Sequence, residues 1–220
     1  MAYNPKDYFF HKAKKENFAA RAVFKLQEID QRFRILRAGQ KILDLGAAPG
    51  SWSQYASQKV GATGRVMGID IQTVTLTMPN AVFITADMRE LDLGQTMAEN
   101  GIAPPFDVVL SDMAPKTSGI RLQDQMRSLE LCDLALTTAE RFLKPNGTFV
   151  CKLFHSNEFE EFRKKLKTRF AKVDVIRPES TRKESKEIFF VATQYKPPKG
   201  PSSESGEPKA ERPKRPEDIR

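Results

Sequence analysis

The chain has 220 residues, 40% of them hydrophobic, which suits one sizeable α/β domain with tails and falls short of two. No apolar run approaches the roughly eighteen residues that a membrane span needs, and the charged opening, residues 1–16, lacks the apolar stretch of a secretory signal. Lys and Arg exceed Asp and Glu by 36 to 28, and the surplus is uneven: ten against four in residues 1–41, and ten against five in residues 160–186. Such clustering is the footprint of a polyanion-binding face and favours nucleic acid as a partner over a merely solvated surface; a monomer that binds no membrane is expected.

In chain order, residues 1–17 mix basic groups with Tyr3, Tyr8, Phe9 and Phe10, an arm suited to stack on bases or to pack on the body. From Phe18 to Phe33 the apolar positions Ala22, Val23, Leu26, Ile29 and Phe33 recur at helical spacing. Strands are predicted near 41–45, 65–70, 81–85, 106–111, 147–154 and 172–176, with helices near 52–60, 88–100, 122–143 and 157–169 between them. Lys144-Pro145-Asn146-Gly147 stops the long helix and turns into the fifth strand. The last strand, 187–195, has no helix before it, which makes it an antiparallel partner of 172–176. Cys132 and Cys151 form no metal pattern with His11 and His155 and read as inert core thiols, in keeping with a reducing, cytoplasmic setting. Beyond Lys196, Pro, Ser, Gly and charge dominate, and 196–220 reads as a disordered tail to a single domain over 18–195.

The densest signal is Asp44-Leu45-Gly46-Ala47-Ala48-Pro49-Gly50-Ser51-Trp52, a strand end, a glycine turn and a helix start. Gly46 and Gly50 let the backbone turn sharply and approach a ligand closely. Their Gly-x-x-x-Gly spacing is neither a dinucleotide fingerprint nor a phosphate loop, which disfavours a nicotinamide-dependent oxidoreductase. Asp44 beside the turn is a poor neighbour for a pyrophosphate and a good one for a cation such as the sulfonium of S-adenosylmethionine. Asp70 closes the second strand, where a doubly wound fold sets the acid that bonds adenosine ribose hydroxyls. Asp87 follows the third, suited to the adenine amino group, and Asp112 follows the fourth. Each acid alone reads equally as a helix cap, but together they converge on the carboxyl edge of one sheet, where ligands bind.

Lys25 on the first helix, Asp112, Lys152 inside the apolar fifth strand and Glu187 opening the last complete the chemical set. A lysine within such a strand is costly unless paired. From the residues alone, a structural ion pair of Lys152 with Asp112 or Glu187 is the favoured reading over catalysis.

Four stretches decide the matter: Arg21–Ile29 (RAVFKLQEI), DLGAAPGSW, SDMAP followed by Ser118-Gly119, and SKEIFFVAT. Together they resemble the FtsJ/RrmJ family of RNA ribose 2′-O-methyltransferases from about Phe18 to Tyr195. The resemblance implies a Rossmann-like class I methyltransferase of seven strands, mostly parallel, with a terminal antiparallel hairpin. It implies S-adenosyl-L-methionine as cofactor, held by Gly46, Gly50, Trp52, Asp70, Asp87 and Asp112. The family's Lys-Asp-Lys-Glu tetrad falls on Lys25, Asp112, Lys152 and Glu187. Lys25 and Glu187 are expected to position the ribose and Lys152, respectively. The implied substrate is a uridine 2′-hydroxyl in the A-loop of 23S ribosomal RNA within the large subunit. A tRNA ribose methyltransferase and a catalytically silent RNA-binding assembly factor are the alternatives. Where the family often has Gly-Gly-Trp, this chain has Gly50-Ser51-Trp52.

Overall fold

Strands that read as near-continuous apolar runs need cover on both faces, and the sheet is built that way. The computed structural model describes residues 5–116, 118–154, 158–182 and 184–198. Tyr3, His155 and nearly all of the 196–220 tail lie outside them. The elements in chain order are α1 (Pro5–Lys15), α2 (Val23–Phe33), β1 (Lys41–Leu45), α3 (Ser51–Val60), β2 (Arg65–Asp70), β3 (Ala81–Thr85) and α4 (Leu93–Glu99). There follow β4 (Phe106–Ser111), α5 (Arg121–Phe142), β5 (Leu143–Phe154), α6 (Phe159–Arg169), β6 (Phe170–Ile176) and β7 (Glu187–Tyr195).

The strands form one sheet in the order β3-β2-β1-β4-β5-β7-β6. Neighbours from β3 to β5 run parallel, and β7 is antiparallel to both β5 and β6. The expected terminal hairpin is present, but β7 is inserted and β6 takes the edge. The sequences account for this. Glu187 to Ala192 are buried without a break, so β7 must be flanked and covered on both faces, whereas β6 exposes Ala171, Lys172 and Asp174. Charge on an edge strand also guards it against pairing with other chains.

Alternate strand residues feed two cores. On one face Ile42, Val66, Val108, Leu110, Val150 and Phe189 meet Val23, Leu26 and Ile29 of α2 and Tyr55, Ala56 and Val60 of α3. On the other, Leu43, Met67, Val109, Phe149, Cys151 and Phe190 meet α4, α5 and α6 through Met97, Leu136, Ala139, Phe162 and Leu166. Cys151 therefore faces α5, where Cys132 lies. Lys152, one residue on, turns to the α2–α3 side.

Several boundaries differ from the expected ones for local reasons. The helix expected over 88–100 starts at Leu93, because the Asp92 carboxylate caps it by accepting the Gln95 N–H at 3.1 Å. The first core helix starts at Val23 and stops where Arg34 adopts a left-handed conformation, φ 51°. Leu143 already pairs with Phe106 and the register resumes at Thr148 opposite Val108, so Lys144–Gly147 is a bulge in β5 rather than a turn before it. Residues 5–15 form a helix that packs on the body. Ala13 is buried and the Phe9 ring lies 5.4 Å from that of Phe24, while Tyr8 and Phe10 stay exposed. Among the described residues no helix is long and apolar enough to cross a membrane.

Candidate active site

The parallel strands all deliver their carboxyl ends to one edge of the sheet, and β7, running the other way, delivers Glu187 to the same edge. At the end of β1 the chain turns through Gly46, φ 79°, where a Cβ would come within 2.7–2.9 Å of Met113, main chain included. Gly50, φ 107°, is pressed in the same way by Leu76 and Val74, at 2.6 and 2.9 Å from a Cβ. Left-handed backbone and lack of space both demand glycine there. The N–H groups of Gly46 and Ala47 donate to the Ile69 carbonyl at 2.8 and 3.1 Å, fastening the turn to β2.

Asp70 fastens it further. One carboxylate oxygen accepts the Ala48 N–H at 2.9 Å and the other the Gln72 N–H at 2.8 Å. Each oxygen keeps a lone pair for a ligand. Asp44 lies beneath the turn with no exposure at all. Its Oδ2 accepts the Ser53 hydroxyl at 2.6 Å, and its Oδ1 meets no hydrogen-bond donor among the described residues. Burial raises its pKa to about 7; the Ser53 hydrogen bond opposes the rise, and the charges of Asp112 and Asp70 add to it.

Two of the expected cofactor residues are engaged in ways the sequence did not reveal. The Trp52 indole is buried; its Nε1–H donates to the Ala22 carbonyl at 2.9 Å and its ring lies 5.7 Å from that of Phe189. It joins α3 to the head of α2, so only its main chain, in the first turn of α3, stands at the glycine turn. Gly50 offers no capping side chain there, which leaves first-turn N–H donors of α3 for a ligand. Asp87 lies two residues beyond β3 and is gripped by Arg89, whose Nε–H and Nη2–H donate to its two oxygens at 3.0 and 2.5 Å. Those hydrogen bonds hold its pKa down to about 2.

Lys25, Asp112, Lys152 and Glu187 meet on one side of the sheet as two ion pairs. Lys152 Nζ lies 2.8 Å from Asp112 Oδ1 and donates to the Asp112 main-chain carbonyl at 2.6 Å. Lys25 Nζ lies 2.5 Å from Glu187 Oε1. In the β5–β7 register Lys152 is opposite Phe189 and Phe154 opposite Glu187, so Lys152 and Glu187 share a face one diagonal step apart. Glu187 is expected to position Lys152, but among the described residues the ion pair it makes is with another residue. The partner of Glu187 is Lys25, brought over the Phe189 ring at 5.7 Å by α2. Lys152 is 6% exposed, and Asp112 occupies at most two of its three N–H donors. One donor remains for an acceptor molecule.

A match to the FtsJ-like methyltransferase family model extends over residues 18–195. The chain belongs to this family. Ribosomal RNA large subunit methyltransferase E of Bdellovibrio bacteriovorus is 60% identical to it over 196 residues, 89% of this chain and 100% of that protein. The protein of the same name from Oleidesulfovibrio alaskensis is 47% identical, across 87% of this chain and 92% of its own. Among solved structures, a Plasmodium falciparum chain assigned as a ribosomal RNA methyltransferase matches with a TM-score of 0.69 at 26% identity, over 81% of this chain and 98% of that one.

In this FtsJ-like methyltransferase three supporting residues escaped the sequence reading. Glu28 accepts the N–H groups of Glu179 and Ser180 at 2.6 and 2.9 Å, and Arg21 donates to the Ser180 carbonyl at 2.7 Å. Lys25 and Glu28 share a face of α2 by spacing, and Arg21 lies in the turn that leads into it, so the segment that carries Lys25 also straps down the loop leading to Glu187. Asp124, in the first turn of α5, accepts the Ser118 N–H and hydroxyl at 2.7 and 2.9 Å and the Gly119 N–H at 3.3 Å. It fixes the far end of the loop that Asp112 begins. The available signal was an acid in the first turn of a helix behind a Ser-Gly pair.

Proposed function

We propose that this methyltransferase transfers a methyl group from S-adenosylmethionine to a ribose 2′-hydroxyl, that of a uridine in the A-loop of 23S ribosomal RNA. It acts on the large subunit as a cytoplasmic monomer. The observation that carries this reading is Lys152, a buried ammonium steadied by Asp112 with one donor left over, at the edge where the glycine turn lies. The relatives named as large-subunit ribosomal RNA methyltransferases support the substrate.

The residues present fit the cofactor. A cradle that a Cβ would fill at Gly46 and Gly50, uncapped N–H groups at α3 and an unmatched carboxylate oxygen on Asp44 suit a cationic ligand that carries an amino-acid part and a nucleoside. Asp70 binds its ribose hydroxyls, Asp87 its adenine amino group once Arg89 shares that carboxylate, and the main chain of Gly46, Gly50 and Trp52 with Asp112 its methionine part. When bound, S-adenosylmethionine supplies an electrophilic methyl whose sulfonium leaving group needs no further activation. The protein's work is therefore orientation. Lys152 donates to the acceptor hydroxyl oxygen and so directs its remaining lone pair at the methyl carbon, and the hydroxyl proton released on transfer passes to water. Asp112 fixes Lys152, and the Lys25–Glu187 pair positions the acceptor ribose.

Transfer of radiolabel from S-adenosylmethionine to 23S ribosomal RNA tests the activity. Mapping ribose methylation with and without this gene tests the nucleotide; an unmodified A-loop uridine in both strains refutes that assignment. For the cofactor, Asp70→Ala removes a charged acceptor worth roughly 1.5–3 kcal/mol, so calorimetric affinity should fall about ten- to hundredfold. An unchanged affinity would leave Asp70 as a brace for Ala48 alone.

The basic N-terminal region offers a separate test of RNA binding. Lys12 lies over the Phe24 ring at 4.7 Å, whereas Lys14 and Lys15 are exposed on α1. Lys14→Glu with Lys15→Glu should weaken RNA binding. Every phosphate thereby deprived of its lysine should flatten the slope of log affinity against log salt by roughly 0.7–0.9. A parent-like slope would move the RNA face to the basic stretch between residues 163 and 186.

A further inference from the structure

A groove of about 180 Å³ opens beside Glu187, lined by Arg121, Asp124 and Gln125 of α5, Phe154 at the end of β5, and Ser185 and Lys186 of the loop before β7. None of these residues belongs to the tetrad or to the cofactor set. The sheet register places the groove against the reaction centre, because Phe154 pairs with Glu187, and Ser185 and Lys186 directly precede it. Its floor is fixed: the Phe154 N–H donates to Ser128 of α5 at 3.0 Å. So is one wall, through the Asp124 hydrogen bonds to Ser118 and Gly119.

Arg121 and Lys186 come from different walls, and neither is buried. Neither makes an ion pair or hydrogen bond among the described residues, whereas Lys25, Lys144, Lys152, Lys165 and Arg169 are all paired with carboxylates. On α5, directly next in sequence to the lining residues Arg121 and Gln125, Leu122 and Met126, one helical turn apart, are 62% and 54% exposed, and Ile120 just ahead is 55% exposed. An aromatic residue and two cations unpaired among the described residues line one groove, with exposed aliphatic side chains next to it on α5, which suits a ligand that has a flat π-face and anionic groups.

Resting on the RNA methyltransferase reading above, we propose that this groove is a subsite for a nucleotide flanking the methylated one. Its base stacks on Phe154, and its phosphates lie between Arg121 and Lys186. A ribose hydroxyl reaches a buried lysine only if the strand is splayed locally. Holding a neighbouring base apart from the helix stack keeps it so, and Leu122 and Met126 shield the exposed face of the next base.

The test is steady-state methyl transfer from radiolabelled S-adenosylmethionine, using two acceptors from a strain that lacks the modification: intact large ribosomal subunits and protein-free 23S ribosomal RNA. Two variants are compared with the parent, Phe154→Leu and the double reversal Arg121→Glu with Lys186→Glu. Phe154→Leu keeps an apolar floor and should raise KM for both acceptors about five- to hundredfold, the range expected for removing one base–aromatic stack. The double reversal leaves the buried core untouched. It should raise KM and flatten its salt dependence by about 1.4–1.8 in the log–log slope, the amount for two phosphates. S-adenosylmethionine affinity should match the parent's in both.

Parent-like KM and salt slope in the double variant would overturn the subsite, even where Phe154→Leu fails to fold. A KM defect seen on subunits and absent on protein-free RNA would overturn it in favour of docking on a ribosomal protein. If the parent itself transfers no methyl to either acceptor, the fault lies with the RNA methyltransferase reading and not with the groove alone.

Discussion

Lys152→Ala should abolish methyl transfer to RNA while S-adenosylmethionine still binds. Lys152 is a buried cation with donor capacity to spare, 2.8 Å from Asp112 Oδ1, and the glycine turn and Asp70, proposed above to receive the cofactor, do not depend on it. A positioned acid–base group contributes about two to four orders of magnitude in rate, and the loss should reach at least the lower figure in single-turnover assays. Removing one partner of a buried pair also costs up to about 3–5 kcal/mol of stability. Calorimetric cofactor binding on the same preparation therefore has to accompany the rate. A variant that binds S-adenosylmethionine and turns over near the parent's rate would remove Lys152 from the chemistry and leave it a structural ion pair.

Asp44→Asn should change how stability depends on pH. The carboxyl of Asp44 has a pKa of about 7 in the folded chain against 3.8 when exposed, so the folded state binds its proton more tightly than the unfolded state does. Stability then falls with rising pH across the interval between those values and is level on either side. The whole interval corresponds to about 4 kcal/mol. Asparagine keeps an oxygen to accept the Ser53 hydroxyl at the 2.6 Å site and carries no charge to bury. In urea unfolding at a series of pH values, the parent should lose about 3 kcal/mol relative to Asp44→Asn between pH 4 and pH 7, and almost none between pH 8 and pH 9. A difference that is constant from pH 4 to pH 9 would mean that Asp44 does not carry this proton.

Much of the site was legible because its signals are local. Gly46 and Gly50 announced a tight turn, and the structure has left-handed backbone at both. Asp44, Asp70 and Asp112 sit at strand ends because hydrophobic runs stop there, and a run's end is visible in one dimension. Lys152 drew notice as a lone charge in an apolar strand, and its burial with a carboxylate partner is what the desolvation cost requires. The boundary of α4 was misread because Asp92 competes as a cap with apolar residues just before it, and a cap outweighs periodicity over so short a helix.

By itself the sequence determined the alternation of strands and helices, the glycine turn at the first of them, and which ionisable residues were too costly to be idle. Each of these follows from spacing or from the free energy of burying a charge. Tertiary structure alone decided which charges pair. Lys152 meets Asp112 because β5 lies parallel beside β4, and Lys25 meets Glu187 because β7 slots between β5 and β6; strand order is not encoded in local propensity. It also decided that the Trp52 indole turns away to the Ala22 carbonyl and that Arg89 grips Asp87. Asp44 likewise is shut off from water only once α3 and the strands close over it. A side chain's partners depend on what the rest of the chain brings within a few ångströms, and that is settled only when the sheet has assembled.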